Sequence, residues 1–147
     1  MDTIGQNGDC PNFRTSENGT VPLKKAHLIP CSGIGKVHGL VSREAVYRAI
    51  DAAPDTTDTV CLALLVTGDA EAKQKVQQTP CITIDGCPKL CAYKNVELAG
   101  GKIAKGIRVY DTMKRHRGAN FGTATALSAE GWAVVEELAA EITQAAK

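Results

Sequence analysis

Two cysteines, Cys87 and Cys91, lie four residues apart directly after a short apolar run. That run, residues 82–84, is β-branched at all three positions and predicts a buried strand. Asp85 and Gly86 follow it as a turn signal. If Cys87 and Cys91 occupy the first turn of the next helix, both sulfur atoms lie on one helix face and can bind one ion.

Cys31 and Cys61 lie upstream in equally apolar surroundings. Cys31 directly follows residues 26–30, an apolar run that also predicts a strand. Parallel strands end at the same edge of a sheet. Cys31 and Cys87 should therefore converge, and Cys61 can join them if its helix begins near that edge. We predict a metal site formed by Cys31, Cys61, Cys87 and Cys91. Four thiolates suit tetrahedral zinc, and an iron–sulfur cluster is the alternative cofactor because it takes the same ligands.

Three further residues could compete for or assist such a site. Cys10 is interpreted as a stray thiol, and Cys81, which begins the strand before Cys87, as a buried structural thiol. His38 follows the Cys31 turn and is a candidate general base or neighbour of the metal ligands. Asp85 is expected to stabilise its own turn by side chain to backbone bonds, or to orient groups around the metal.

The bulk composition narrows the function classes. A chain of 147 residues with 44% hydrophobic and 22% charged residues is typical of one globular domain. A net charge of +1 gives no general attraction to nucleic acid or to an anionic membrane. No membrane-spanning run or signal region is apparent, so we expect a cytoplasmic protein. Thiols stay reduced in that compartment, which favours metal binding or catalysis over disulfides for the six cysteines.

Residues 1–22 are polar and predict a flexible N-terminal leader, and residues 23–147 predict a single α/β metal-binding domain. Strands are predicted at 26–30, 81–85 and 102–110, and helices at 42–54, 70–78, 89–98 and after Ser128, with a short helix or turn at 111–117. Ser42 and Ser128 are predicted to cap the first and the last helix, and the core face of the last helix is predicted to consist of Trp132, Val135, Leu138 and Ile142. Residues 59–66 are ambiguous, with helix favoured. Strands that alternate with helices predict an α/β fold, with a mainly parallel sheet and helices packed on its faces in a Rossmann-like layering.

Three motifs together resemble the DGC domain, a family described as candidate zinc-binding domains of unknown function. They are IPCSGIGKVHG around Cys31, CLALL beginning at Cys61, and IDGCPKLCA around Cys87 and Cys91, and the family is named after Asp-Gly-Cys. The resemblance implies that the four chelating cysteines are Cys31, Cys61, Cys87 and Cys91. It implies no substrate, and Cys10 and Cys81 depart from the usual set.

These observations predict a cysteine-thiolate metal-binding accessory protein, with zinc as the expected ion. One alternative is a thiol-dependent or zinc enzyme, in which Cys87 is the nucleophile and Cys91 or Cys31 resolves it. The other is an iron–sulfur electron carrier. The expected partner is a metal ion, with another protein as a further candidate, and no membrane or nucleic acid.

Overall fold

The structure is a computed structural model that describes residues 25–31 and 33–147. Its centre is a four-stranded parallel sheet with the strand order β2-β1-β3-β4. The strands are β1 (Ala26–Pro30), β2 (Thr57–Thr59), β3 (Cys81–Asp85) and β4 (Ile103–Arg108). The predicted leader, with Cys10, lies outside the described residues.

Six helices are present in the described part of the chain, and they cover both faces of the sheet. They are α1 (Val37–Ala52), α2 (Leu62–Thr67), α3 (Ala70–Gln78), α4 (Cys91–Leu98), α5 (Val109–Arg115) and α6 (Ala129–Ala145). The predicted α/β fold, a single domain with a parallel sheet between helical layers, is confirmed.

Each face of the sheet has its own hydrophobic core because successive strand residues point to opposite sides. On one face, Leu28, Ile82 and Ile84 pack against α1, α5 and α6. On the other face, Ile29 and Cys81 pack against α2, α3 and α4. The aliphatic residues fill both cores, as the low aromatic content of 4% requires.

The predictions for β1, β3 and α3 match the observed bounds, whereas the prediction for α1 is wrong at its start. Ser42 does not cap α1, which already begins at Val37. Ser42 is fully buried, and its hydroxyl donates a 2.8 Å hydrogen bond to the Ile84 carbonyl of β3. The serine therefore joins α1 to the end of β3 across the core.

The ambiguous run 59–66 contains two elements, so the preference for helix is confirmed from Leu62 onward and wrong at the start of the run. Thr59 ends β2, and its hydroxyl donates to the Leu28 carbonyl of β1 at 2.9 Å. Helix α2 begins only at Leu62. Periodicity could not locate this boundary because residues 60–66 are continuously apolar.

The C-terminal helices agree with the prediction in type and differ in detail. Helix α5 begins at Val109, two residues before the predicted start. Ser128 caps α6 as predicted, and its hydroxyl oxygen accepts the Gly131 N–H at 3.1 Å. Trp132 is not part of the core face predicted for α6: it is 36% exposed, and the Arg48 guanidinium lies 5.3 Å from its ring centroid.

The chain reverses its direction of travel across the sheet between β1 and β3. From β1 it passes through α1 to β2 on one side, and then returns through α2 and α3 to β3 on the other side. In open α/β sheets, ligand crevices form at such a reversal, outside the carboxyl ends of the strands. Within residues 25–31 and 33–147, no helix has the length and hydropathy to cross a bilayer.

Candidate thiol site at the carboxyl edge of the sheet

The carboxyl ends of β1 and β3 lie side by side at the point of reversal. Cys31 comes directly after β1, and its N–H donates a 2.9 Å hydrogen bond to the Ile84 carbonyl of β3. Cys87 comes two residues after β3 ends at Asp85. The two turns that carry these cysteines therefore leave the same edge of the sheet from neighbouring strands.

Cys31 and Cys91 are neighbours at this edge. The Cys31 thiol is partly buried, and Cys91 lies close enough to influence its protonation. Burial raises the pKa of Cys31, and the neighbouring Cys91 and Asp85 raise it further because they disfavour a second negative charge. The N–H of Gly33 donates to the Cys31 sulfur and opposes this rise in the pKa.

Cys61 reaches the same edge from β2. It stands at the N-cap position of α2, is exposed, and makes no capping bond with its side chain. Cys31 and Cys61 line one cavity, and α2 packs beside α4, whose first residue is Cys91. Cys61 therefore opens toward the region where Cys31 and Cys91 meet.

Cys87 does not lie on a helix, so the prediction that it shares the first helical turn with Cys91 is wrong. It lies in a turn in which its carbonyl accepts the Leu90 N–H at 3.3 Å. Leu90 has left-handed backbone angles, φ 56° and ψ 47°, which cost an L-residue about 1 kcal/mol or more. Pro88 was the available sequence signal, because a residue that precedes proline disfavours the helical region.

Asp85 fixes where α4 begins. Its side chain is 1% exposed, and its carboxylate oxygens accept the N–H groups of Ala92 at 2.8 Å and Tyr93 at 3.1 Å. Burial raises the pKa of Asp85, while these two hydrogen bonds and the Lys94 ammonium act in the opposite direction. The predicted bonding from side chain to backbone is present, but its partner is the next helix rather than the turn itself.

Two glycines permit close packing behind the thiols. A Cβ on Gly39 of α1 would overlap the backbone of Gly33, next to the Cys31 turn. A Cβ on Gly86 would come within 3.1 Å of the His38 backbone. Sequence reasoning missed these roles, although both glycines belong to the motifs that contain Cys31 and Cys87.

His38 lies beside the turn that carries Cys87, near the predicted place. Burial lowers the pKa of His38, and Lys36 lowers it further, so the neutral imidazole is favoured. In the described residues its ring has no hydrogen bond to any cysteine. Its predicted roles as a general base or a neighbour of the metal ligands stay predictions.

Cys81 lies at the opposite end of β3 and is a structural thiol, as predicted. It is 0% exposed, and its Sγ donates to the carbonyls of Thr79 at 3.4 Å and Val76 at 3.7 Å. Burial raises the pKa of Cys81 to about 11. This thiol therefore stays protonated in the folded protein at neutral pH.

The edge cysteines are gathered only in part. All five cysteines of residues 25–31 and 33–147 are free thiols. Across the same residues, no three side chains of His, Cys, Asp or Glu are arranged closely enough to hold a metal ion. Cys31 and Cys91 are neighbours, and Cys61 and Cys87 follow strands that end at the same edge.

Comparison with known proteins gives a family for this chain. No curated protein and no solved structure matches it. The model of the DGC domain, a cysteine-containing family of unknown function, matches residues 27–141. The matched segment contains the four edge cysteines and Cys81, and leaves Cys10 outside. Because the match covers most of the chain, the protein belongs to the DGC domain family.

Proposed function

We propose that this chain is an accessory protein that binds a thiophilic metal ion, zinc in the first place, through Cys31, Cys61, Cys87 and Cys91. The observation that carries the proposal is that Cys31 and Cys91 are neighbours at the point of reversal. Two sulfurs bound to one tetrahedral zinc ion lie about 3.8 Å apart, so the ion needs neighbouring thiols such as these. These two residues form the first half of the ligand set.

Cys61 and Cys87 are assigned as the second half because of the elements that carry them. Each follows a strand that ends at this edge, and each leaves toward the space outside β1 and β3. The Leu90 turn gives Cys87 a direction independent of α4, which a helical position would not allow. Zinc has no electronic preference for one geometry, so such a ligand set can adjust to it.

The surrounding charges favour a negatively charged thiolate cluster at two points. Cys91 is the first residue of α4, where the positive end of the helix dipole lies. Lys94 lies close enough to Asp85 to lower the pKa of that carboxyl. Asp85 itself would add negative charge, but its two hydrogen bonds to the helix backbone disperse it.

The exposure of the four cysteines distinguishes a metal ion that only stabilises the fold from one that is exchanged with other molecules. Cys61 and Cys91 are exposed, and Cys31 and Cys87 are partly buried. Purely structural zinc sites are closed and fully coordinated. The proposed role is therefore a site from which another protein, or a free chelator, can take the ion.

Metal analysis after anaerobic purification tests this proposal. We expect about one zinc ion per wild-type chain, and a fall to background when Cys31, Cys61, Cys87 or Cys91 is replaced singly by serine, because each removes one ligand of four. Cys10→Ser is the matched control and should retain the metal. A wild-type chain that carries no metal and binds none when supplied, or full retention by Cys91→Ser, contradicts the proposal.

A dithiol reaction is a second candidate, which the neighbouring Cys31 and Cys91 thiols also support. The exposed Cys91 thiolate would attack a disulfide substrate and release one thiol. Cys31 would then attack the Cys91 sulfur, release the second thiol and leave a Cys31–Cys91 disulfide. Oxidised glutathione tests this step, since mass spectrometry should find the chain two hydrogens lighter.

The metal-binding protein and the dithiol enzyme should respond differently to zinc, and a protein with an iron–sulfur cluster should differ from both in colour. Zinc should block alkylation of the edge thiols under the first proposal, whereas a dithiol enzyme should be alkylated at the same rate with and without zinc. An iron–sulfur cluster would use the same four thiolates and give a brown protein. A colourless protein with zinc-protected thiols supports the first proposal against both others.

A further inference from the structure

A cavity of about 570 Å³ opens beside the thiols, between α1, the ends of β1 and β2, and α2. Most of its wall is apolar, and Tyr47 on α1 and Leu62 and Val66 on α2 are among the accessible residues that form it. Cys31 and Cys61 stand in the same wall. Cavities of about 300–1,000 Å³ with mainly apolar walls and few polar groups are typical of small-molecule sites.

Arg43 is the one charged residue that lines this cavity. Among the residues that the structure describes, it has no carboxylate partner, whereas Arg48, Arg108 and Arg115 each form an ion pair. A guanidinium keeps its charge at any physiological pH and binds a carboxylate through two parallel hydrogen bonds. An unpaired cation beside an apolar wall complements a molecule that has an apolar body and one anionic end.

We propose that this cavity binds a small organic acid, whose carboxylate pairs with Arg43 and whose hydrocarbon body packs against Tyr47, Leu62 and Val66. The bound molecule would lie against the Cys31 and Cys61 thiols. Its binding needs Arg43 and the apolar wall and does not need a metal ion, so this proposal stands apart from the metal-binding proposal.

Octanoate is the probe, and the protein is the full-length, reduced and metal-free chain. Titration followed by ¹H–¹⁵N correlation spectra should give saturable shifts at the residues of α1 and α2 that line the cavity. Acetate tests the need for the hydrocarbon body, and octanol tests the need for the carboxylate. We expect octanoate to bind at least about tenfold more tightly than either, because each lacks one of the two complementary parts.

Arg43→Gln should weaken octanoate by about tenfold and leave the affinity for octanol unchanged, since only the charged contact is lost. Arg117→Gln is the control, because it removes the same charge from an exposed residue that does not line the cavity. Val66→Asp should weaken both probes. Arg43 and Val66 are exposed, so these variants should fold, and circular dichroism checks it.

The proposal is overturned if octanoate causes no saturable shifts at the cavity. It is also overturned if Arg43→Gln and Arg117→Gln weaken octanoate equally, or if octanol binds as tightly as octanoate. Because no metal is present, loss of octanoate binding does not bear on zinc retention, and loss of zinc retention in cysteine variants does not bear on the cavity.

Discussion

Strand β3 begins with one cysteine and is followed by another just beyond its end, and the two differ in almost every property. Cys81 is fully buried, donates hydrogen bonds to backbone carbonyls and has a pKa raised to about 11. Cys87 is partly buried and lies in a turn at the edge of the sheet. The two residues are six positions apart in sequence, and each is next to a proline.

The difference shows that position along a strand decides what a cysteine can do. At the start of β3, the helices of one face cover the side chain and make it a small hydrophobic residue with a weak donor. Past the carboxyl ends of the strands, the cysteines are exposed or only partly buried, so their side chains can reach solvent. The following predictions test this contrast, in order of decreasing effect.

Alkylation should separate the two ends of β3 most strongly. In the metal-free protein, Cys81 should react with iodoacetamide at least about a hundredfold more slowly than Cys87 and Cys91, because it is exposed only when the fold opens. Peptide mass spectrometry over time measures each rate. In urea, where the fold is lost, the rates should become equal. Similar alkylation rates for Cys81, Cys87 and Cys91 in the folded protein would contradict the proposed difference between the two ends of β3.

Asp85→Asn should loosen the carboxyl end. The amide has only one acceptor oxygen, whereas the carboxylate accepts two N–H groups. One buried N–H group therefore loses its partner, which lowers the free energy of unfolding by about 2 kcal/mol. Urea denaturation measures it. Asp111→Asn, which alters an exposed pair with Arg108, is the control and should change stability little. If both variants lower the stability equally, Asp85 does not determine where α4 begins.

The pH dependence of stability should report Cys81. Its folded pKa lies above its unfolded value, so its contribution is fully present below the unfolded pKa and is lost as the pH rises through the folded pKa of about 11. Between pH 8 and 11, wild-type stability should fall relative to Cys81→Ala by up to about 2 kcal/mol. Urea midpoints across this range measure the difference, and a difference that does not change with pH would contradict the prediction.

Gly86→Ala should have the smallest effect, about 1 kcal/mol of lost stability, because the new methyl group would press on the His38 backbone. Gly33→Ala is a matched control at the same edge, since a Cβ there has no neighbour within 4 Å. Thermal unfolding compares them. If the two variants are equally stable, close packing between α1 and the Cys87 turn is not the reason for a glycine at position 86.

The sequence predicted the strands on which the site depends, and it failed where one side chain acts across the fold. The bounds of β1 and β3 agree with the structure because β-branched and apolar runs with turn signals define such strands locally. Ser42 and Asp85 were interpreted as local caps or turn residues, yet their partners are Ile84 and the start of α4. Local patterns cannot identify a partner that only packing brings near.

The candidate site divides in the same way. The presence of thiols after strand ends follows from the sequence, and so does the buried nature of Cys81. The position of Cys91 next to Cys31 does not, because it depends on the pairing of β1 with β3 and on where α4 begins. The Arg43 cavity was missed for the same reason, since α1 and α2 form its wall only after they pack on opposite faces of the sheet.

By itself, then, the sequence determined that this is a layered α/β protein with cysteines at the ends of its strands, because hydrophobic periodicity and turn residues act over a few neighbouring positions. Only the tertiary structure decided which thiols are neighbours, which N–H groups the Asp85 carboxylate accepts and which helices line a cavity. These outcomes depend on contacts between residues far apart in the chain, whose distances are set by the order of the strands in the sheet.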